Sequence, residues 1–201
     1  VIVSELLSID PTAQDILFRE ARTANTFTDE PVSEEQVRAI YDLVKWAPTA
    51  MNAQPLRVVL VRSPEARERL VAHMAEGNKA KTASAPLVAI LAADGDFHER
   101  LPTVFPHAEG ARDNLHGVPE IRANMAAFNG AIQVGYFIIG VRAAGLAAGP
   151  MAGFDAEGVA KEFFPEGGHQ VLAVVNIGKP GPDAWFARNP RLEYDQVVTT
   201  A

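Results

Sequence analysis

Apolar and polar positions repeat along this chain with two periods, and each change of period marks an element. Val37, Ile40, Tyr41 and Val44 recur at helical spacing behind Ser33 and Gln36, a capping box, so a helix is predicted from there until Pro48 stops it. Asp10 and Pro11 have the form of an N-cap and first helical residue for a helix ending near Ala24. Ser63-Pro64 opens another that runs to about Ala75, with Leu70, Val71 and Met74 inward, and Asp155 caps a short one reaching Phe164. Continuous apolar runs at 58–61, 87–92 and 170–177 read as buried strands. Helices and strands in this order predict a layered α+β domain, a single one over residues 1–201.

Residues 126–155 carry the longest apolar pattern. Ala127, Ala131, Gly135, Ala143 and Ala147 recur in steps of four or eight, a smooth stripe along one helix face where backbones can approach closely. Gly130, Gly135, Gly140 and Gly145 each cost about 1 kcal/mol relative to Ala inside a helix, which close packing must offset. The run is long enough to cross a bilayer, but Asn129, Gln133 and Arg142 fall inside it and no basic cluster or aromatic belt flanks it. A core or subunit-interface helix is therefore expected. Gly149, Pro150, Met151, Ala152 and Gly153 then break the pattern, either as a plain helix stop or as small residues that leave backbone N–H groups open to a ligand.

Composition narrows the partners. The chain has net charge -7 and its basic residues are scattered, which argues against a nucleic-acid footprint or an anionic membrane surface and favours a small molecule. It has no cysteine, so thiol catalysis, disulfides and thiolate metal sites are excluded. The N-terminal VIVSELLSI lacks a basic segment and a cleavage pattern, so no signal peptide is read there and a cytoplasmic protein is expected.

Several polar groups stand out against this background. Arg22, Thr23 and Asn25 combine a cation, a hydroxyl and an amide suited to an anion such as phosphate, although a solvated helix end has the same look. Pro48-Thr49-Ala50-Met51-Asn52-Ala53-Gln54-Pro55 brackets polar residues between prolines, which stiffens a loop, or is an ordinary helix-to-strand connection. Asn78 and Lys81 lie three apart before a buried strand, so both can serve one site. Asp94, Asp96, His98 and Glu99 match neither a calcium loop nor a zinc-helix spacing, so they read as turn chemistry and no metal is expected. Residues 101–119, with their prolines, glycines and histidines, predict a long irregular segment of the kind that covers a site.

Taken together, these segments resemble the nitroreductase superfamily of FMN-dependent oxidoreductases. Residues 22–27 stand where the superfamily has Arg-Ser-x-Arg-x-Phe, and residues 48–55 are similar to its Pro-Ser-Ser-x-Asn-x-Gln-Pro loop. Asn78 and Lys81 resemble its Asn-x-x-Lys pair, residues 150–153 its loop at the flavin N5, and Arg188 its C-terminal phosphate-binding arginine. Within the superfamily, Glu99-Arg100-Leu101-Pro102, Phe105-Pro106-His107 and Gly149-Pro150-Met151 look like the malonic semialdehyde reductase group. Ala21, Asn25 and Phe186 depart from basic residues common in the superfamily.

The resemblance implies a mixed sheet flanked by helices and a homodimer formed through the long central helix, with FMN between two subunits. Arg22, Thr23 and Arg188 would hold the phosphate, Asn25 would also contact the cofactor, and Pro48, Thr49, Ala50 and Asn52 would come from the other subunit. Asn78 and Lys81 would lie near the flavin's pyrimidine edge, with Pro150, Met151, Ala152 and Gly153 at N5. NADPH or NADH would give a hydride to the flavin, which passes it to a small acceptor, either malonic semialdehyde or a nitro or quinone compound. An acceptor's carboxylate wants a cation, for which His107, Arg112 or Arg122, in the 101–119 region and beyond, are the candidates. A nitro or quinone compound wants a flat apolar cover such as Phe105 or Phe128. The alternative is a non-catalytic dimer that binds or stores flavin. No side chain is assigned a direct catalytic role, and no G-x-G-x-x-G nucleotide fingerprint occurs.

Overall fold

A computed structural model describes residues 6–201, so residues 1–5 of the stretch read as lacking a signal peptide lie outside the description. In chain order the elements are α1 (Pro11–Gln14), α2 (Glu34–Val44), β1 (Leu56–Val61), α3 (Pro64–Ala72), α4 (Glu76–Ser84) and β2 (Leu87–Asp94). There follow α5 (Leu101–Val104), α6 (Ala111–His116), α7 (Pro119–Ala143), β3 (Ala147–Met151), α8 (Ala156–Phe163), β4 (His169–Gly178) and α9 (Tyr194–Val197). The strands form one sheet in the order β1-β2-β4-β3, and the class is α+β as expected. Where the resemblance implied a mixed sheet, every ladder among the described residues is antiparallel, leaving β1 and β3 as edges.

Strand β2 explains its own unbroken apolar run. Leu87, Ala89 and Leu91 face a core shared with Ile40 of α2 and with Phe137 and Val141 of α7. Val88, Ile90 and Ala92 face the other way, into a core shared with Leu70 of α3 and Val159 of α8. With helices on both sides, neither face of the strand can be polar. The capping box at Ser33 forms in both directions and starts α2 as the pattern predicts.

Helix α7 begins at Pro119 and stops at Ala143, earlier at both ends than the apolar pattern marks. It is long and apolar enough to cross a membrane by length and composition, yet it packs against α2 and the sheet, the position of a core helix. A Cβ at Gly130 would meet Leu172 Cδ1 at 2.8 Å, and one at Gly140 would collide with Val44 of α2. These glycines let the helix lie close to its neighbours, which offsets their cost. Gly135 and Ala131 point outward instead, so the smooth stripe is an exposed face. Gly145 lies in the turn that ends the helix (φ 70°), and Ala147 already belongs to β3.

Two other boundaries differ from expectation. The first helix ends as a π-helical turn at Arg19 and not near Ala24, because the chain is drawn into backbone pairing between Asn25 and Ala184. The segment at 101–119 is less irregular than its composition predicts, since α5 and α6 form within it around Leu101, Ala111 and Leu115, which pack on Phe97.

Candidate functional site

Four guanidiniums line one cavity of about 290 Å³: Arg22, Arg142, Arg188 and Arg191, together with Thr23, Asn25 and the 186–189 backbone. Each element delivers its cation by a main-chain anchor. Arg22 donates to the Phe186 carbonyl at 3.3 Å, Arg188 to that of Arg19 at 2.7 Å, and Arg142 to that of Leu17 at 2.9 Å. Arg191 donates to Asn189 O at 2.9 Å. No carboxylate pairs with any of the four among the described residues, whereas Arg19, Arg38, Arg57, Arg62, Arg69, Arg112 and Arg122 all have one. Burial, and then the neighbouring Arg188 charge, lower the pKa of Arg142, so the cavity is a place where positive charge is crowded and uncompensated. An anion with several acceptor oxygens relieves that crowding.

The 22–27 segment that lines the cavity runs against β3. Gly149 lies under the Ala24 carbonyl, where a Cβ would approach to 3.1 Å, so the 22–27 segment and β3 are in direct contact. Beyond Met151 the chain turns through Ala152 and Gly153, both exposed. The Gly153 carbonyl accepts from Asn78 Nδ2 at 2.9 Å and from the Ala75 N–H at 3.0 Å, while the N–H groups of Ala152 and Gly153 donate to no backbone carbonyl among the described residues. A Cβ on Gly153 would press on Asn78 Nδ2 at 2.7 Å, which is why a glycine stands there. Lys81 lies on the same helix, three residues after Asn78, and the lysine ion pairs among the described residues involve Lys45, Lys79 and Lys161 instead. Beneath them the Met151 sulfur accepts from buried Thr82 Oγ1 at 3.8 Å and Asn176 Nδ2 at 3.9 Å.

The loop at 48–55 lies elsewhere. Met51, Asn52 and Gln54 have positive φ (55°, 49° and 45°), a left-handed conformation that costs non-glycine residues about 1 kcal/mol or more each and persists where surroundings enforce it. The enforcement is visible. Asn129 Oδ1 accepts from the Ala50 N–H at 2.7 Å, Thr49 Oγ1 from the Gln54 N–H at 3.2 Å, and Gln133 Oε1 from the Leu56 N–H at 2.9 Å. Asn52 donates to the Val104 carbonyl at 2.8 Å, tying the loop to α5. Met51 and Ala53 pack with Phe97 and Leu101, away from the arginine cavity, so Pro48, Thr49, Ala50 and Asn52 do not join Arg22 and Arg188 within one chain.

The presumed carboxylate binders fare differently from one another. Arg112 is committed to Glu99 through both oxygens at 2.7 and 2.9 Å, and also to Asp113. Arg122 donates to the carbonyls of Gly95, Leu115 and His116 and pairs with Asp96. Both hold the 95–118 segment together, and most of their N–H donors are spent within it. His107 is exposed, its ring against Phe105 at 4.1 Å between centroids.

With this geometry in hand, comparison with known proteins is decisive. The model of the "Nitroreductase family" matches residues 18–179. The chain belongs to the nitroreductase family. A relative from Streptomyces coelicolor, provisionally named NADH dehydrogenase/NAD(P)H nitroreductase, is 69% identical over 194 residues, covering 96% of this chain and 98% of its own. A Leptothrix cholodnii relative of the same provisional name is 47% identical over 94% of this chain and 95% of its own. Among solved structures, a nitroreductase from Bacillus subtilis superposes with TM-score 0.81 at 22% identity, over 92% of this chain and 97% of that one. One from Exiguobacterium sibiricum, solved in complex with FMN, has TM-score 0.81 at 17% identity, over 96% and 98%. At those identities the superpositions establish the fold, and the nitroreductase assignment rests on the family model and the closer relatives.

In this nitroreductase, four of the cavity's lining residues coincide with expectation: Arg22, Thr23, Asn25 and Arg188. Arg142 and Arg191 were not expected there. Arg142 did carry a signal, a cation inside an apolar helix, but it was used to argue against a membrane span and not for a site. Asn129 and Gln133, the other polar residues of that run, proved to be the anchors of the 48–56 segment.

Proposed function

We propose that this member of the nitroreductase family is an FMN-dependent NAD(P)H oxidoreductase. The observation that carries the reading is the cavity lined by Arg22, Arg142, Arg188 and Arg191 without a carboxylate, in a protein of net charge -7. A phosphate monoester has about two negative charges and three terminal oxygens, and charge-assisted hydrogen bonds contribute about 1.5 to 3 kcal/mol each. Thr23 and Asn25 add neutral donors at the same place. The FMN complex of the Exiguobacterium protein, which shares the fold, supports the same choice of cofactor.

Bound FMN supplies hydride acceptance from NADH or NADPH and its delivery to a second substrate. The chain's own part is position and charge. Lys81 brings a cation with no carboxylate partner to the helix that supports Gly153, suited to the negative charge that accumulates on a reduced ring. Asn78 and the Ala75 N–H grip the Gly153 carbonyl, which keeps the Ala152 and Gly153 N–H groups free to face the cofactor. Pro48, Thr49, Ala50 and Asn52 reach a cofactor from the partner in a homodimer built on the outward face of α7, where Ala131, Gly135 and Phe128 are exposed. For the acceptor, with Arg112 and Arg122 engaged, His107 remains to greet a carboxylate, which keeps malonic semialdehyde, reduced to 3-hydroxypropionate, beside nitro and quinone compounds.

The test is the visible spectrum of the purified protein, followed anaerobically with NADPH and then NADH. An oxidised flavin spectrum that one nucleotide bleaches supports the oxidoreductase and names its donor. Bound flavin that neither bleaches favours a storage dimer, and a protein that takes up no FMN overturns the cofactor assignment.

A further inference from the structure

Outside the arginine cavity, His98, Glu99 and His116 bring three metal-ligating atoms close together. His98 Nε2 lies 3.2 Å from His116 Nδ1 and 3.3 Å from Glu99 Oε1, and His116 Nδ1 lies 3.9 Å from the same oxygen. One imidazole N–H can bridge two of these three atoms at a time, and the third is left beside them without a proton of its own. A triangle with those three edges has a circumradius of about 2.0 Å, so an ion at zinc's bond length of about 2.0 to 2.2 Å to nitrogen and carboxylate oxygen sits at or just above its plane, on the open side.

We propose that His98, Glu99 and His116 bind a divalent first-row transition ion, zinc foremost. Two imidazoles and one carboxylate are borderline-to-hard donors, and without sulfur the set does not select a soft ion. His98 is buried at 1% exposure, while His116 and Glu99 are open to solvent, so the fourth position of a tetrahedral ion faces water. Of the ligands, Glu99 has an outer shell, while the other ring nitrogen of His98, Nδ1, is buried without a hydrogen-bond partner. Arg112 fixes the Glu99 carboxylate through both oxygens, and such hydrogen bonds to ligating groups are what orient them. Arg122 Nη1 stands 3.5 Å from His98 Nε2 and opposes a cation, but Asp96 pairs with it at 3.3 Å and Asp113 with Arg112 at 2.7 Å. Three carboxylates therefore face two guanidiniums, and the cluster is net negative before an ion enters. Bound there, the ion joins the base of the 97–104 segment to α6 and braces the layer on which Met51 and Ala53 pack. The expectation of no metal came from the 94–99 stretch alone, and His116 arrives from another helix.

Equilibrium dialysis of the purified full-length chain against zinc, with metal counted by mass spectrometry, tests this. One zinc per chain is expected, with affinity at least tenfold weaker in His116→Ala and in Glu99→Gln, both at exposed positions. His73→Ala and His169→Ala, which break the other histidine–carboxylate pairs, should leave binding unchanged. No retained zinc overturns the proposal, as does zinc that His116→Ala keeps or that His73→Ala or His169→Ala loses.

Discussion

Arginine is used in two opposite ways in this molecule. Around the cavity, Arg22, Arg142, Arg188 and Arg191 are anchored by main-chain carbonyls and have no carboxylate partner. Around the 95–118 segment, Arg112 within it and Arg122 on α7 are met by Glu99, Asp96 and Asp113 as well as carbonyls. A guanidinium whose charge is already matched is a staple. One whose position is fixed but whose charge is not matched is preorganised for an anion it has yet to meet. Residue type does not separate the two uses, but the partners do.

Substitutions that remove one kind and not the other put this contrast at risk. The largest effect is expected for Arg122→Ala, which strips three carbonyl contacts and an ion pair from a largely buried side chain. Stability measured in urea should fall by about 3 kcal/mol, with FMN affinity of the folded protein almost unchanged. Arg142→Ala belongs to both classes, since it lines the cavity and also ties α7 to Leu17. Fluorescence titration should show FMN affinity reduced by about a hundredfold, and thermal melting a small loss of stability. Arg188→Ala should weaken FMN by about tenfold to a hundredfold while leaving riboflavin affinity as it was. Arg112→Ala is the smallest case, an exposed ion pair, and calorimetry should find melting temperature and FMN affinity both close to the parent values.

How far the sequence could be read follows the range of the interactions. Local signals were legible: the Ser33 capping box, the buried strands β2 and β4, the Asp155 cap and the Pro64 start all fold as their spacing predicts. The 58–61 run, read as buried, instead forms the half-exposed edge strand β1, because only one side of it meets a neighbouring strand. The arginine cavity was legible in part, because Arg22, Thr23 and Asn25 are close in sequence and Arg188 is reached through resemblance. Arg142 and Arg191 were not, since what places them is long-range pairing such as Asn25 N–H to Ala184 O, which no local pattern encodes. The same limit applies to Arg112 and Arg122. As candidates for an acceptor's carboxylate they already pair with Glu99 and Asp96, 13 and 26 positions away, which no local pattern shows. The glycines of α7 are a third instance: one spacing serves the sheet at Gly130, α2 at Gly140 and open space at Gly135, and only packing tells these apart.

The central claim is that unmatched guanidiniums recognise a phosphate, and the most direct measurement is the affinity of the protein for FMN against riboflavin, which differ in that group alone. Two charge-assisted contacts at about 1.5 to 3 kcal/mol each predict a preference for FMN of at least about a hundredfold. In the Arg142→Ala, Arg188→Ala double variant, which keeps Arg22 and Arg191, that preference should fall by at least about a hundredfold while riboflavin binds as before. Equal affinity for FMN and riboflavin in the parent protein would contradict the account.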